Sequence, residues 1–150
     1  MAGRDMDRIE NCISFIIGKA AQQVSRRSRD LLSPFGVTPV QYALLKCLED
    51  YPQGVGGTAL GARMVLDAAS ITGIIDRLTA LKLVERRVNP FDRRAQLILA
   101  TRKARDLMPD LDAAMDRLNR ETTAIFDGSG TPALTILRKL GQEKEWKAHV

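Results

Sequence analysis

A mainly α-helical fold interrupted by one small antiparallel β-hairpin is what this sequence of 150 residues predicts, and three observations carry the prediction. Ile71, Ile74, Ile75, Leu78 and Leu81 recur at helical spacing as one apolar stripe, with Ser70, Thr72, Gly73, Asp76 and Arg77 on the other side. After Lys82 the period becomes alternating. Leu83, Val84, Arg86 and Val88 form one run and Leu97, Ile98 and Leu99 another, separated by Asn89-Pro90-Phe91-Asp92-Arg93-Arg94, where Asn-Pro initiates a turn and Pro90 excludes a central strand. Finally, long helices with apolar stripes stand at both ends of the chain.

In chain order, residues 1–7 are polar, and from Arg8 the positions Ile9, Cys12, Ile13, Ile16, Ile17, Ala20, Val24 and Leu31 keep helical spacing for about six turns. Ser33-Pro34-Phe35-Gly36 ends that helix, because Pro34 disfavours the helical region for its predecessor and Gly36 permits a left-handed turn. Thr38-Pro39-Val40-Gln41 is a capping box that opens a second helix, with Val40, Leu44, Cys47, Leu48 and Tyr51 inward. Pro52 to Gly57 reads as a loop holding a short strand at Val55, and Thr58 to Val65 as a short helix with Leu60 and Met64 inward. Asp67 is the N-cap of the next helix, which starts near Ala68.

Beyond Thr101, the positions Leu107, Leu111, Ala114, Met115, Leu118, Thr122 and Ile125 return in steps of three and four, with Pro109 expected to kink the helix near Arg105. Asp127-Gly128-Ser129-Gly130 is a break, and Thr131-Pro132 starts a last helix through Leu134, Leu137 and Leu140. The tail is polar except for Trp146.

The length fits one domain, or one lobe with appended helices. The net charge of +5 and pI near 9.6 permit a nucleic-acid partner without requiring one. Its distribution is more informative. From Asp76 to Arg105 the cations are Arg77, Lys82, Arg86, Arg87, Arg93, Arg94, Arg102, Lys103 and Arg105, against Asp76, Glu85 and Asp92. Cys12 and Cys47 lack CxxC spacing and read as core residues, so neither a disulfide framework nor a metal site is expected, and no cofactor is implied. The single His149, the lack of a glycine-rich phosphate loop and the lack of paired carboxylates argue against an enzyme. MAGRDMDR has no apolar signal region and no stretch reaches the length of a membrane span, so a cytoplasmic protein is expected.

A hairpin directly after a helix with a small, polar outer face is the outline of a winged helix-turn-helix, the helix entering the major groove and the hairpin forming the wing. This divides the chain into an N-terminal helix for dimerisation (1–36), a DNA-binding lobe (37–101) and C-terminal dimerisation helices (102–150). Ser70 and Thr72 can bond base edges or phosphates, Arg77 lies one turn farther on, and Arg63 on the preceding helix can touch phosphate. Arg86 and Arg93 add charge to the wing. Two end helices that the lobe does not need for its own core suggest a homodimer reading a pseudo-palindromic site.

The stretch VERRVNPFDRRAQLILATRKAR resembles the wing and following helix of the MarR family of bacterial transcription regulators, whose wing tip carries an acidic residue, any residue and an arginine: here Asp92, Arg93 and Arg94. TPVQYALLKCL (Thr38 to Leu48) is similar to the family's second helix, and Asp67 to Val84 to its recognition helix and the turn after it. The resemblance implies dimerisation through the first and last helices, and Arg94 inserted into the minor groove of duplex DNA with Asp92 orienting it. Gly73 departs from the pattern, since the family often carries a long side chain there; a closer backbone approach is the alternative.

The resemblance further implies a repressor released by a small aromatic or phenolic effector, bound where the dimerisation helices meet the DNA-binding lobe. Phe15, Ile16, Lys19 and Tyr42 are candidates to line that pocket, with Arg26 or Arg27 for a carboxylate. Two alternatives stay open: a thiol-based redox sensor through Cys12, as in the peroxide-responsive branch of the family, and a winged-helix protein-interaction module. The sequence names neither operator, effector nor regulated genes, nor whether the protein represses or activates.

Overall fold

Seven leucines and no larger side chain fill the centre of this protein: Leu32, Leu44, Leu45, Leu48, Leu60, Leu78 and Leu111 are each under 2% exposed. The structure, a computed structural model, describes residues 8–126 and 130–142. The helices supplying those leucines are α1 (Ile13–Leu32), α2 (Pro39–Leu48), α3 (Gly57–Met64), α4 (Ala68–Ala80) and α5 (Arg102–Ile125). Truncating any one to alanine removes its transfer energy and leaves a cavity, roughly 2–5 kcal/mol. The fold is mainly helical, as the sequence predicts, with one small antiparallel sheet.

The capping box of α2 forms as expected: the Gln41 backbone N–H donates to Thr38 Oγ1 at 3.3 Å and the Thr38 N–H to Gln41 Oε1 at 2.9 Å. Strands β1 (Val55–Gly56), β2 (Val84–Val88) and β3 (Gln96–Ala100) pair antiparallel in the order β1-β3-β2, with Val55 opposite Ile98 and Arg86 opposite Ile98 on the other side. Gly54, at φ +94°, enters this sheet at a place where a Cβ would lie 3.0 Å from Leu97 and Leu99, so only glycine fits. The hairpin therefore sits against the α3–α4 pair through a shared core.

Several elements differ in detail from the sequence reading. A 3-10 turn, Ile9–Asn11, precedes α1, and Cys12 is an extended, half-buried N-cap and not a residue of the apolar helix face. Cys47 is half-buried against the core. Helix α3 begins one residue early, at Gly57, without a side-chain cap. Pro109, expected to kink the helix near Arg105, lies inside α5, a helix of 24 residues, and both it and Arg105, whose carbonyl it deprives of a donor, are exposed. The break expected at Asp127-Gly128-Ser129, like Trp146 and His149, lies outside the described residues; helix α6 (Gly130–Gln142) follows it.

Helix α5 packs along α1. Arg27 grips Glu121 with two bonds of 2.6 and 2.7 Å, and Ser28 Oγ reaches Met115 Sδ at 3.7 Å. Outside this seam the two ends of the chain expose apolar side chains: Ile13, Phe15, Ile16 and Val24 on α1, and Ile125, Leu134, Ile136 and Leu137 towards the C-terminus. No single described helix is long and apolar enough to cross a membrane.

Candidate nucleic-acid interface

Helix α4 turns 110° from α3 across a three-residue break, Val65 to Asp67, the crossing of a helix-turn-helix. The turn is made by Val65 in the left-handed region, φ 55°, which is strained for a β-branched residue. Leu66 N–H then bonds Gly61 O at 2.9 Å, and a Cβ on Gly61 would approach Leu66 O to 3.1 Å, so the missing side chain lets the turn close.

Asp67 caps α4. One carboxylate oxygen accepts from Ser70 N–H at 2.8 Å and the other from Ser70 Oγ at 3.0 Å, and these bonds, the backbone one foremost, hold the Asp67 carboxyl below its usual range. Ser70 is thus part of the cap, and its hydroxyl keeps acceptor capacity only. Thr72 is exposed one turn into the helix. Arg77 Nε donates to Gly73 O at 3.0 Å, which lays the guanidinium over the spot where Gly73 has no side chain; a Cβ there would meet only the flexible Arg77 Nη2, at 3.4 Å.

The wing stands beside this helix. Arg86 on β2 forms an ion pair with Asp76 of α4, and Arg87 pairs with Glu85. Between wing and helix lies an open groove of about 740 Å³ whose lining includes Gly56, Gly57, Thr58, Thr72, Arg86 and Arg94. At the tip, Asp92 Oδ1 accepts from the Arg94 backbone N–H at 3.0 Å. The carboxylate thus orders the main chain, whereas the sequence reading had it orienting the guanidinium. Among the described residues neither Arg93 nor Arg94 has an ion-pair partner, and both are exposed. The interface is accordingly a concave strip that includes small residues, bordered by the paired Arg86 and the unpaired Arg94, and its open charge at the wing tip suits a polyanion.

Arg63 is occupied elsewhere. It pairs with Asp50 at 2.6 Å, which raises its pKa, and lies 5.8 Å over the Tyr51 ring, so contact with a phosphate requires it to leave this site.

The six effector-pocket candidates do not converge within one chain. Phe15, Ile16 and Lys19 occupy the start of α1, exposed, and Arg26 follows about 16 Å further along the axis. Arg27 already holds the chain's own carboxylate, Glu121, and Tyr42 Oη donates to Asp112 at 2.9 Å. Burial and that bond push the Tyr42 phenol up to about 12. Lys46 reaches the other oxygen of Asp112 at 2.8 Å and Glu49 at 2.6 Å, tying α2 to α5. Sequence reasoning missed this network, as well as Val65 and the exposed Phe91; only Phe91, an aromatic inside an Asn-Pro turn, had a signal to find. Cys12 sits at the start of α1, on a different element from Tyr42 and Tyr51, and no metal-binding cluster occurs among the described residues.

Residues 35–95 match a family model described as MarR family. The chain is 30% identical over 108 residues to the HTH-type transcriptional regulator TtmR of Methylorubrum extorquens (strain PA1), covering 72% of this chain and 55% of TtmR. It is 26% identical over 108 residues to the HTH-type transcriptional regulator MhqR of Bacillus subtilis (strain 168), covering 69% of this chain and 73% of MhqR. Among solved structures, CouR from Rhodococcus jostii RHA1 bound to p-coumaroyl-CoA is similar at a TM-score of 0.78 and 28% identity, over 91% of this chain and 93% of CouR.

Proposed function

From the premise that the chain belongs to the MarR family, as a transcriptional regulator of the winged helix-turn-helix kind, we propose that it is a cytoplasmic repressor without catalytic activity, binding a pseudo-palindromic operator as a homodimer. The observation that carries this reading is the pairing of a 110° helix-turn-helix with a wing whose Arg93 and Arg94 are exposed and have no ion-pair partner among the described residues. Helix α4 enters the major groove, where Thr72 contacts base edges or phosphate, Ser70 accepts from a base-edge amino group or leaves its cap to reach phosphate, Gly73 brings the backbone close and Arg77 reaches phosphate. Arg94 enters the minor groove, with Asp92 fixing the main chain that carries it, while Arg93 and Arg86 add cationic charge beside it. Arg63 is an outlying phosphate contact.

Residues 1–36 and 102–150 form the dimerisation part and 37–101 the reading part. The exposed apolar side chains of α1, α5 and α6 support a second copy as their cover. The effector is a small aromatic or phenolic compound; the p-coumaroyl-CoA bound by CouR carries a phenolic acyl group, on a much larger carrier. Phe15, Ile16, Lys19, Arg26, Arg27 and Tyr42 are its proposed contacts, completed by the second chain. Selection of bound duplexes from a random pool tests the reading. An enriched palindrome with half-sites about one helical turn apart is the expected result, and weak binding with no enriched sequence would contradict it.

A further inference from the structure

Phe91 at the tip of the wing is 97% exposed, more than any other large apolar residue described. It is also held firmly. Asn89 Oδ1 accepts from the Phe91 N–H at 2.9 Å, Asp92 Oδ1 accepts from the Arg94 N–H at 3.0 Å, and the loop is closed by Asn89 N–H to Ala95 O at 3.1 Å and Ala95 N–H to Asp92 O at 3.0 Å. Two successive side-chain-closed turns, with Pro90 fixing φ just before the aromatic residue, leave little main-chain freedom to lose on binding.

What covers such a ring follows from its neighbours. Arg93 and Arg94 stand beside it without an ion-pair partner among the described residues, while Arg86 and Arg87 farther down the wing are paired with Asp76 and Glu85. A protein pocket that took up the ring would have to desolvate or avoid these charges, whereas the minor groove offers apolar sugar walls between two rows of phosphates. We infer that Phe91 is an apolar wedge that enters the minor groove beside Arg94, an inference that rests on the DNA-binding reading above. Arg94 supplies electrostatic attraction and Phe91 burial, so the two side chains contribute through different physics.

That difference makes the wedge testable on the duplex that the wild-type protein selects. Phe91→Ala binds it about tenfold more weakly, by loss of one buried aromatic contact. The slope of log affinity against log salt is unchanged, since no phosphate contact is lost. Phe91→Leu retains most of the affinity, and the melting temperature of both variants matches wild type because the side chain is exposed. Hydroxyl-radical footprinting shows minor-groove protection beneath the wing that shrinks in Phe91→Ala. Unchanged affinity, a reduced salt slope or an unchanged footprint in Phe91→Ala overturns the wedge while leaving DNA binding intact. Failure of the wild-type protein to bind any duplex overturns both.

Discussion

The charged groups of the helical seam and those of the wing tip are opposite in state. Between α1, α2 and α5, Arg27 and Arg117 share Glu121, Tyr42 and Lys46 both bond Asp112, and Lys46 also reaches Glu49, so the charges of the seam are met within the chain. At the wing tip Arg93 and Arg94 have no such partner among the described residues, and Asp92, the carboxylate nearest in sequence, accepts from the main-chain N–H of Arg94. Paired charges register one helix on another; cations without partners wait for a polyanion.

The largest effect expected from breaking this contrast is at the tip. Arg93→Glu with Arg94→Glu abolishes operator binding at moderate salt with no change in melting temperature, whereas Arg27→Ala lowers the melting temperature by a few degrees and leaves the salt slope of binding as in wild type. Loss of stability in the wing variant, or a changed slope in Arg27→Ala, would erase the distinction.

A smaller effect comes from acid. Arg27 first, then Arg117, holds the Glu121 carboxyl at about 2, below its ordinary 4.5. A carboxylate whose pKa falls on folding contributes stability that is complete above the unfolded value and is lost as pH drops through the folded one. The α1–α5 seam therefore weakens between about pH 4.5 and 2, and Glu121→Gln, followed by circular dichroism, removes that pH dependence while starting from a lower stability. Identical acid titrations in the two proteins would mean that the pair contributes nothing.

The smallest change sharpens the role of Gly73. Alanine meets only the movable end of Arg77, so Gly73→Ala stabilises α4 by about 1 kcal/mol in thermal unfolding. It also weakens operator binding if the backbone of α4 approaches DNA closely there. Tighter binding in the more stable variant would show that Gly73 has no close neighbour in the complex.

Much of this contrast was legible in the residues. The capping box at Thr38 and Gln41, the Asp67 cap and the change of period after Lys82 are local signals, and each formed where it was read. What was not legible depends on residues distant in sequence. Nothing near Asp112 announces Tyr42 and Lys46, which lie 70 and 66 residues away, and Arg27 meets Glu121 across 94. For the same reason Arg63 reads as free until Asp50 is seen beside it. Val65 has the opposite problem: a β-branched residue is a poor candidate for a left-handed turn, and the closing bond from Leu66 to Gly61 imposes it.

The central claim is that the unpaired arginines of the wing neutralise DNA charge, Arg93 at the backbone and Arg94 from within the minor groove. Its most direct measurement is the affinity of wild-type protein and of Arg93→Ala/Arg94→Ala for one selected duplex across a salt series. Loss of two phosphate-neutralising charges predicts a slope shallower by about two in the variant. Parallel lines would contradict it, leaving the wing tip outside the DNA interface.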